Sequence, residues 1–124
     1  MQSAFGYCSN LKHVNFPKLI QIDNGTFYPC VSLESIEFPK TFKAILRNNC
    51  FRGCTALTKI VLPYEGIVSL ANVSNFTDTP FASGQGYIYV HPDYVNAYKT
   101  ATNWSTYANV ITSMEEMYNE QTNV

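Results

Sequence analysis

The chain has 124 residues, 46% of them hydrophobic and 14% charged, with a formal net charge of −1. That is the length of one domain with enough apolar side chains for a core, and the near-neutral charge supplies no field to attract nucleic acid or an anionic membrane surface. No apolar run approaches the roughly 20 residues of a membrane span, and Met1-Gln2-Ser3-Ala4-Phe5 has neither the basic region nor the apolar stretch of a signal peptide.

An internal repeat dominates from the N-terminus onward. Its first copy runs from Phe5-Gly6-Tyr7-Cys8 through Leu11, Val14 and Phe16 to Pro17. The second runs from Phe27-Tyr28-Pro29-Cys30 through Leu33, Ile36 and Phe38 to Pro39, and the third from Phe51-Arg52-Gly53-Cys54 through Leu57, Ile60 and Leu62 to Pro63. Six columns agree in all three copies: Phe, Cys, Leu, Val/Ile, Phe/Leu and Pro. The copies are offset by 22 and then 24 residues. Phe, Cys and Leu recur every three residues, which puts them on one side of a tight helical turn. The spacing then changes to two, so Val14/Phe16, Ile36/Phe38 and Ile60/Leu62 are predicted to point inward from short strands, each ended by a proline that cannot donate to a ladder. A second apolar pair follows each proline: Leu19 with Ile22, Phe42 with Ile45, and Ile67 with Leu70.

A degenerate fourth copy restarts at Thr79-Pro80-Phe81 and yields a strand at Tyr87-Ile88-Tyr89-Val90 before Pro92. Beyond it, Pro92 to Lys99 reads as a helix start, and Trp104, Tyr107 and Ile111 at spacings of three and four predict a second short helix. The predicted architecture is an α/β solenoid, a right-handed coil of about four units with parallel strands about 4.8 Å apart and a helical C-terminal cap. Residues 1–92 form the solenoid, with units near 4–25, 26–49, 50–78 and 79–92. Residues 93–114 form the cap, and 115–124 form a polar tail expected to fray.

These motifs, with Ala4-Phe5-Gly6-Tyr7-Cys8 and the copies from Phe27 and Phe51, resemble the BspA-like leucine-rich repeat family of bacterial surface proteins. The ending Tyr89-Val90-His91-Pro92, Ala97-Tyr98-Lys99 and Asn103-Trp104-Ser105 is similar to that family's terminal cap. The glycine that follows the second Ile in the family is replaced here by Asp23, Leu46 and Ala71. The resemblance implies a secreted or cell-surface location, a role in adhesion or protein binding, and no catalytic residues.

The chemistry-bearing residues fit that picture. Cys8, Cys30 and Cys54 share one column, and Cys50 stands where Ala4 and Thr26 stand in other copies. They read as a ladder of reduced core thiols, since buried cysteine behaves as a small hydrophobe; a disulfide or a metal is the alternative. Cys50 and Cys54 lack the second Cys/His pair of a zinc site. His13 and His91 have no nucleophile or acid partner at a recurring spacing. The four N-x-[ST] sequons, at Asn24, Asn72, Asn75 and Asn103, carry no assigned function. No phosphate loop, cofactor motif, metal site or catalytic constellation is visible, so enzymatic function is the weakest of three readings.

The leading reading is a binding or adhesion module. The outward strand residues His13, Asn15, Ser35, Glu37, Lys59 and Val61 form an ordered grid suited to a protein or glycan ligand. A solvated face with no ligand is the bland alternative. Tyr64, Tyr87 and Tyr89 are further candidates for this face or for cap packing. The second reading is structural: Ala4-Phe5 lies in mid-coil with no cap before it, so its edge is expected to be covered by an upstream segment or by a second copy, giving a homo-oligomer. The outer-face substitutions are expected to affect ligand binding, and a charge at Phe5 to affect assembly.

Overall fold

A computed structural model describes residues 10–15, 24–25, 27 and 30–117. Its centre is a parallel sheet whose five strands follow chain order: β1 His13–Asn15, β2 Ser35–Glu37, β3 Lys59–Leu62, β4 Tyr87–Val90 and β5 Ile111–Ser113. An open parallel sheet in strict sequential order is compatible with a repeat solenoid, because each strand pairs with the equivalent strand of the next copy. The register makes this concrete: Val14, Ile36, Ile60, Ile88 and Ile111 are partners in turn across all five strands. The last four are buried and Val14 is half-buried, so one column of β-branched side chains runs the length of the sheet. Phe38 and Leu62, the second inward positions, are also buried.

The three-residue spacing is a chain of tight turns. The amide of Cys30 donates to Phe27 O, that of Cys54 to Phe51 O, and that of Thr79 to Phe76 O. The next turn repeats the pattern, from Leu33 to Cys30 O, Leu57 to Cys54 O and Ala82 to Thr79 O. The phenylalanines therefore lie above one another. Phe27 and Phe51 have ring centroids 5.6 Å apart and planes within 5°. Phe5, Cys8, Phe16, Pro17, Leu19 and Ile22 lie outside the described residues.

Three sequence expectations change. The fourth copy begins at Phe76, three residues before Thr79: Phe76 continues the ring stack, Thr79 takes the cysteine column, and Phe81 packs edge-on against Phe76 at 5.5 Å. The second apolar pair holds in part: Phe42 and Leu70 are buried as expected, and the other member of each pair is shifted. Leu46 bridges to Leu70 and both are buried, Val68 is buried, while Ile45 is only half-buried and Ile67 is 37% exposed. The segment is extended, so its inward positions alternate (Ala44 and Leu46, Val68 and Leu70) instead of recurring every three residues. Leu46, standing in the family's glycine position, supplies the buried side chain.

The third change concerns Ile111, which opens β5 instead of continuing a helix. The segment before it is 3-10 over Trp104–Val110 with a kink at Tyr107, and the β-branched Ile111-Thr112 continues the ladder beside Ile88 and Tyr89. One α-helix, α1 Val95–Thr100, precedes it. Its Tyr98 and the following Trp104 are buried, with rings 5.2 Å apart and nearly perpendicular. The two grip Val68 from both sides: its N–H donates to Tyr98 Oη (2.8 Å) and its C=O accepts from Trp104 Nε1 (2.7 Å). Tyr107 Oη donates to Val73 O. Glu115 starts a further helical turn within the expected tail. Among the described residues no helix is long and apolar enough to cross a membrane.

Candidate functional site

The six outward residues meet on one surface because the register leaves no choice. His13, Ser35, Lys59 and Tyr87 are direct partners along one row, and Asn15, Glu37, Val61, Tyr89 and Thr112 along the next. His13, Asn15, Ser35, Glu37, Lys59 and Val61 line a shallow depression of about 280 Å³. His13 Nδ1 and Ser35 Oγ are hydrogen-bonded at 2.6 Å, which ties the first two strands together at the face.

The face is graded. At β1 and β2 it is polar and mostly exposed, through His13, Asn15 and Glu37. At β3 and β4 its second row becomes apolar: Val61 and Tyr89 are buried although they point outward. Tyr87 remains 47% exposed, with its ring 5.8 Å from that of Tyr89. An exposed aromatic beside mixed charges is a surface of the kind found in recognition sites. Tyr64, half-buried, packs on the core and over Gly66 instead of joining this face. Ala4 and Phe5, the candidate association edge, lie outside the described residues.

The thiols are placed where chemistry is disfavoured. Cys30, Cys50 and Cys54 are fully buried. Burial pushes the Cys54 thiol up to about 12, and burial together with the neighbouring Cys54 raises that of Cys50 well above its ordinary range. Thiols so disposed are core members and poor nucleophiles. Cys54 Sγ donates to Phe27 O at 3.2 Å, linking neighbouring coils.

Asparagines do work that the sequence left unassigned. Asn75 is fully buried; its Nδ2 donates to Leu46 O and its Oδ1 accepts from Asn49 N–H. Asn24 Oδ1 accepts from Asn48 N–H, and Asn103 Nδ2 donates to Leu70 O. Three of the four sequon asparagines thus bond one coil to the next, and Asn72 caps its own turn through Ser74 N–H. Of these bonds, only that between Asn24 and Asn48 lies on a repeat interval, 24 residues.

A second cluster was not legible. Glu65, His91 and Asp93 each bring a metal-ligating atom to within 4.8 Å of the others, at the end of the sheet where β3 and β4 finish. Spacing along the chain did not reveal it, because Glu65 comes from one coil and the other two from the next.

A family model for the BspA type leucine-rich repeat region matches residues 1–84, in six copies. That family is associated with bacterial surface proteins and is generally non-enzymatic, and its repeats suggest a protein-interaction module. No curated protein and no solved structure gave a match. With its parallel strands in chain order and phenylalanines stacked in register, the chain belongs to the BspA-type leucine-rich repeat family.

Proposed function

We propose that this chain is a non-enzymatic binding module of a bacterial cell-surface or secreted protein, taking a protein or glycan partner on the outer face formed by His13, Asn15, Ser35, Glu37, Lys59 and Val61. Residues 93–114 serve as the cap of the solenoid. The observation that carries this reading is the register: residues far apart in the chain fall into two straight rows that share one depression. A rigid scaffold presents such rows at little ordering cost, which favours affinity. Tyr87 extends the face with an exposed aromatic, the residue type over-represented among binding hot spots.

The test is a screen of the immobilised chain against extracellular-matrix proteins and a glycan array, repeated with Glu37→Lys and Lys59→Glu combined. Loss of a detected partner, with the oligomeric state and urea midpoint unchanged, supports the face. Retained binding in that variant overturns it. Assembly that is unaffected by the face variant and abolished by Phe5→Asp supports the alternative, a self-association module with no ligand of its own.

A further inference from the structure

We propose that Glu65, His91 and Asp93 form a binding site for one divalent transition-metal ion of the zinc class. The repeat itself builds the site. Leu62 and Val90 are the last partners of β3 and β4. Three residues beyond each lie Glu65 and Asp93, so the ladder carries two carboxylates to the same level in adjacent coils. His91, the first residue after β4, completes the group, and one ligand atom from each residue lies within 4.8 Å of the others. Two exposed carboxylates set side by side repel in the absence of a cation, and an ion between them reverses the sign of that interaction.

The donor set points to the class of ion. One imidazole and two carboxylates suit zinc and its neighbours, whereas calcium and magnesium take oxygen donors. Metal–ligand bonds of about 2.0–2.2 Å place tetrahedral donors roughly 3.4 Å apart. His91 Nδ1 and Asp93 Oδ2 are already 4.0 Å apart. The remaining closure is small and falls on Glu65 and Asp93, whose side chains are exposed and can rotate.

His91 Nδ1 accepts from Asp93 N–H at 3.1 Å, and an ion bound at that nitrogen would displace this hydrogen bond. The His91 ring packs edge-on to Tyr94, centroids 5.6 Å apart, and Pro92 fixes the backbone between the two ligands. Glu65 is the middle residue of a three-residue turn closed by Gly66 N–H to Tyr64 O at 3.0 Å. Three protein ligands leave at least one coordination position for water or for a donor from another molecule. Loading the site would clip the third coil to the fourth. It is separate from the outer face, whose residues lie within the strands, and does not depend on that face binding anything.

The experiment uses the full chain, reduced and stripped with EDTA. Zn²⁺ binding is measured by calorimetry, and Co²⁺ is used as a spectroscopic probe. One equivalent of Zn²⁺ is expected, with Co²⁺ d–d bands and no thiolate charge-transfer band in the near ultraviolet. Glu65→Gln, Asp93→Asn and His91→Gln should each weaken binding by about tenfold or more, and the triple variant should lose it while keeping the urea midpoint of the metal-free chain. Absence of binding by the unaltered chain overturns the proposal. So does equal binding by the triple variant, or a thiolate band that assigns the ion to the cysteines.

Discussion

The rings of Phe51 and Phe76 lie 5.7 Å apart and are parallel to within 2°. Phe27 stacks on the opposite face of Phe51, so Phe51 has an aromatic neighbour in the coil before it and in the coil after it. Phe38 meets the same ring edge-on at 6.4 Å. Replacing Phe51 by Ala empties the middle of this column and should cost about 3–5 kcal/mol, read from urea denaturation. Phe51→Leu, which keeps more of the volume, should cost less. A loss below about 1 kcal/mol for the alanine variant would show that the column does not carry the core.

The same column shows what was legible in the sequence and what was not. Phe27, Phe51, Cys30, Cys54, Ile36 and Ile60 were readable because each column repeats one residue type at one interval. Phe76 was missed because the turn after it carries Thr79 where the other copies carry Cys, and because Pro80-Phe81 imitates a fresh start. Ile111 was misread for a related reason: a single apolar residue four positions after Tyr107 fits a helix as well as a strand, and only the open edge of β4 decides between them. The outer face was legible because alternation places outward residues once the strands are known. The Glu65, His91 and Asp93 cluster depends on loop geometry beyond the strand ends, which no periodicity encodes.

Asn75 offers the sharpest test of the asparagine bonds between coils. Its side chain satisfies Leu46 O at 3.0 Å and Asn49 N–H at 2.7 Å, and it is fully buried. Asn75→Ala strands Asn49 N–H, while Leu46 O keeps its bond from Ala71 N–H, and should cost about 1–3 kcal/mol, less whatever water recovers. Asn75→Asp should lie near the parent if burial keeps it protonated, since the neutral acid offers both an O–H donor and a C=O acceptor, and fall toward the alanine level if it ionises and faces Leu46 O with no donor. Equal stability of parent and Asn75→Ala would remove this bond pair from the account. Full burial also means that the Asn75-Phe76-Thr77 sequon cannot be modified in the folded chain.

The buried thiol predicts the direction of an alkaline transition. Burial raises the Cys54 pKa from 9.0 to about 12, and burial raises that of Tyr98 from 10.0 to about 12. The folded chain holds these protons more tightly than the unfolded chain, so unfolding releases protons within that window and stability falls as pH rises through it. Below about 9 the Cys54 contribution is fully present, and by about 12 it is lost. Denaturation curves taken across the window should slope downward, and Cys54→Ala should flatten the part of the slope that begins near 9.0. In the native state below 9, Cys54 should alkylate far more slowly than in urea, because the thiolate is the nucleophile and is scarce there. Equal rates in the two states would contradict the burial.

Two glycines separate backbone strain from steric exclusion. Gly84 and Gly86 both have a positive φ, +78° and +79°. A methyl group at Gly84 would meet nothing within 4 Å, whereas at Gly86 it would lie 2.5 Å from Thr58 O and 2.8 Å from Thr58 Cα. Gly86 sits where β4 begins, and the next amide, Tyr87 N–H, bonds to Thr58 O at 2.9 Å. The backbone of the fourth strand thus comes against the third coil with no room for a side chain, at the point where β3 and β4 come into register. Gly84→Ala should cost only the left-handed backbone penalty, about 1–2 kcal/mol. Gly86→Ala adds a clash with main-chain atoms that cannot swing aside, and should cost more than about 3 kcal/mol. If the two substitutions cost the same, the close approach at Thr58 is not what fixes the strand, and the alignment of Lys59 with Tyr87 must be enforced by the Ile60–Ile88 packing beneath it.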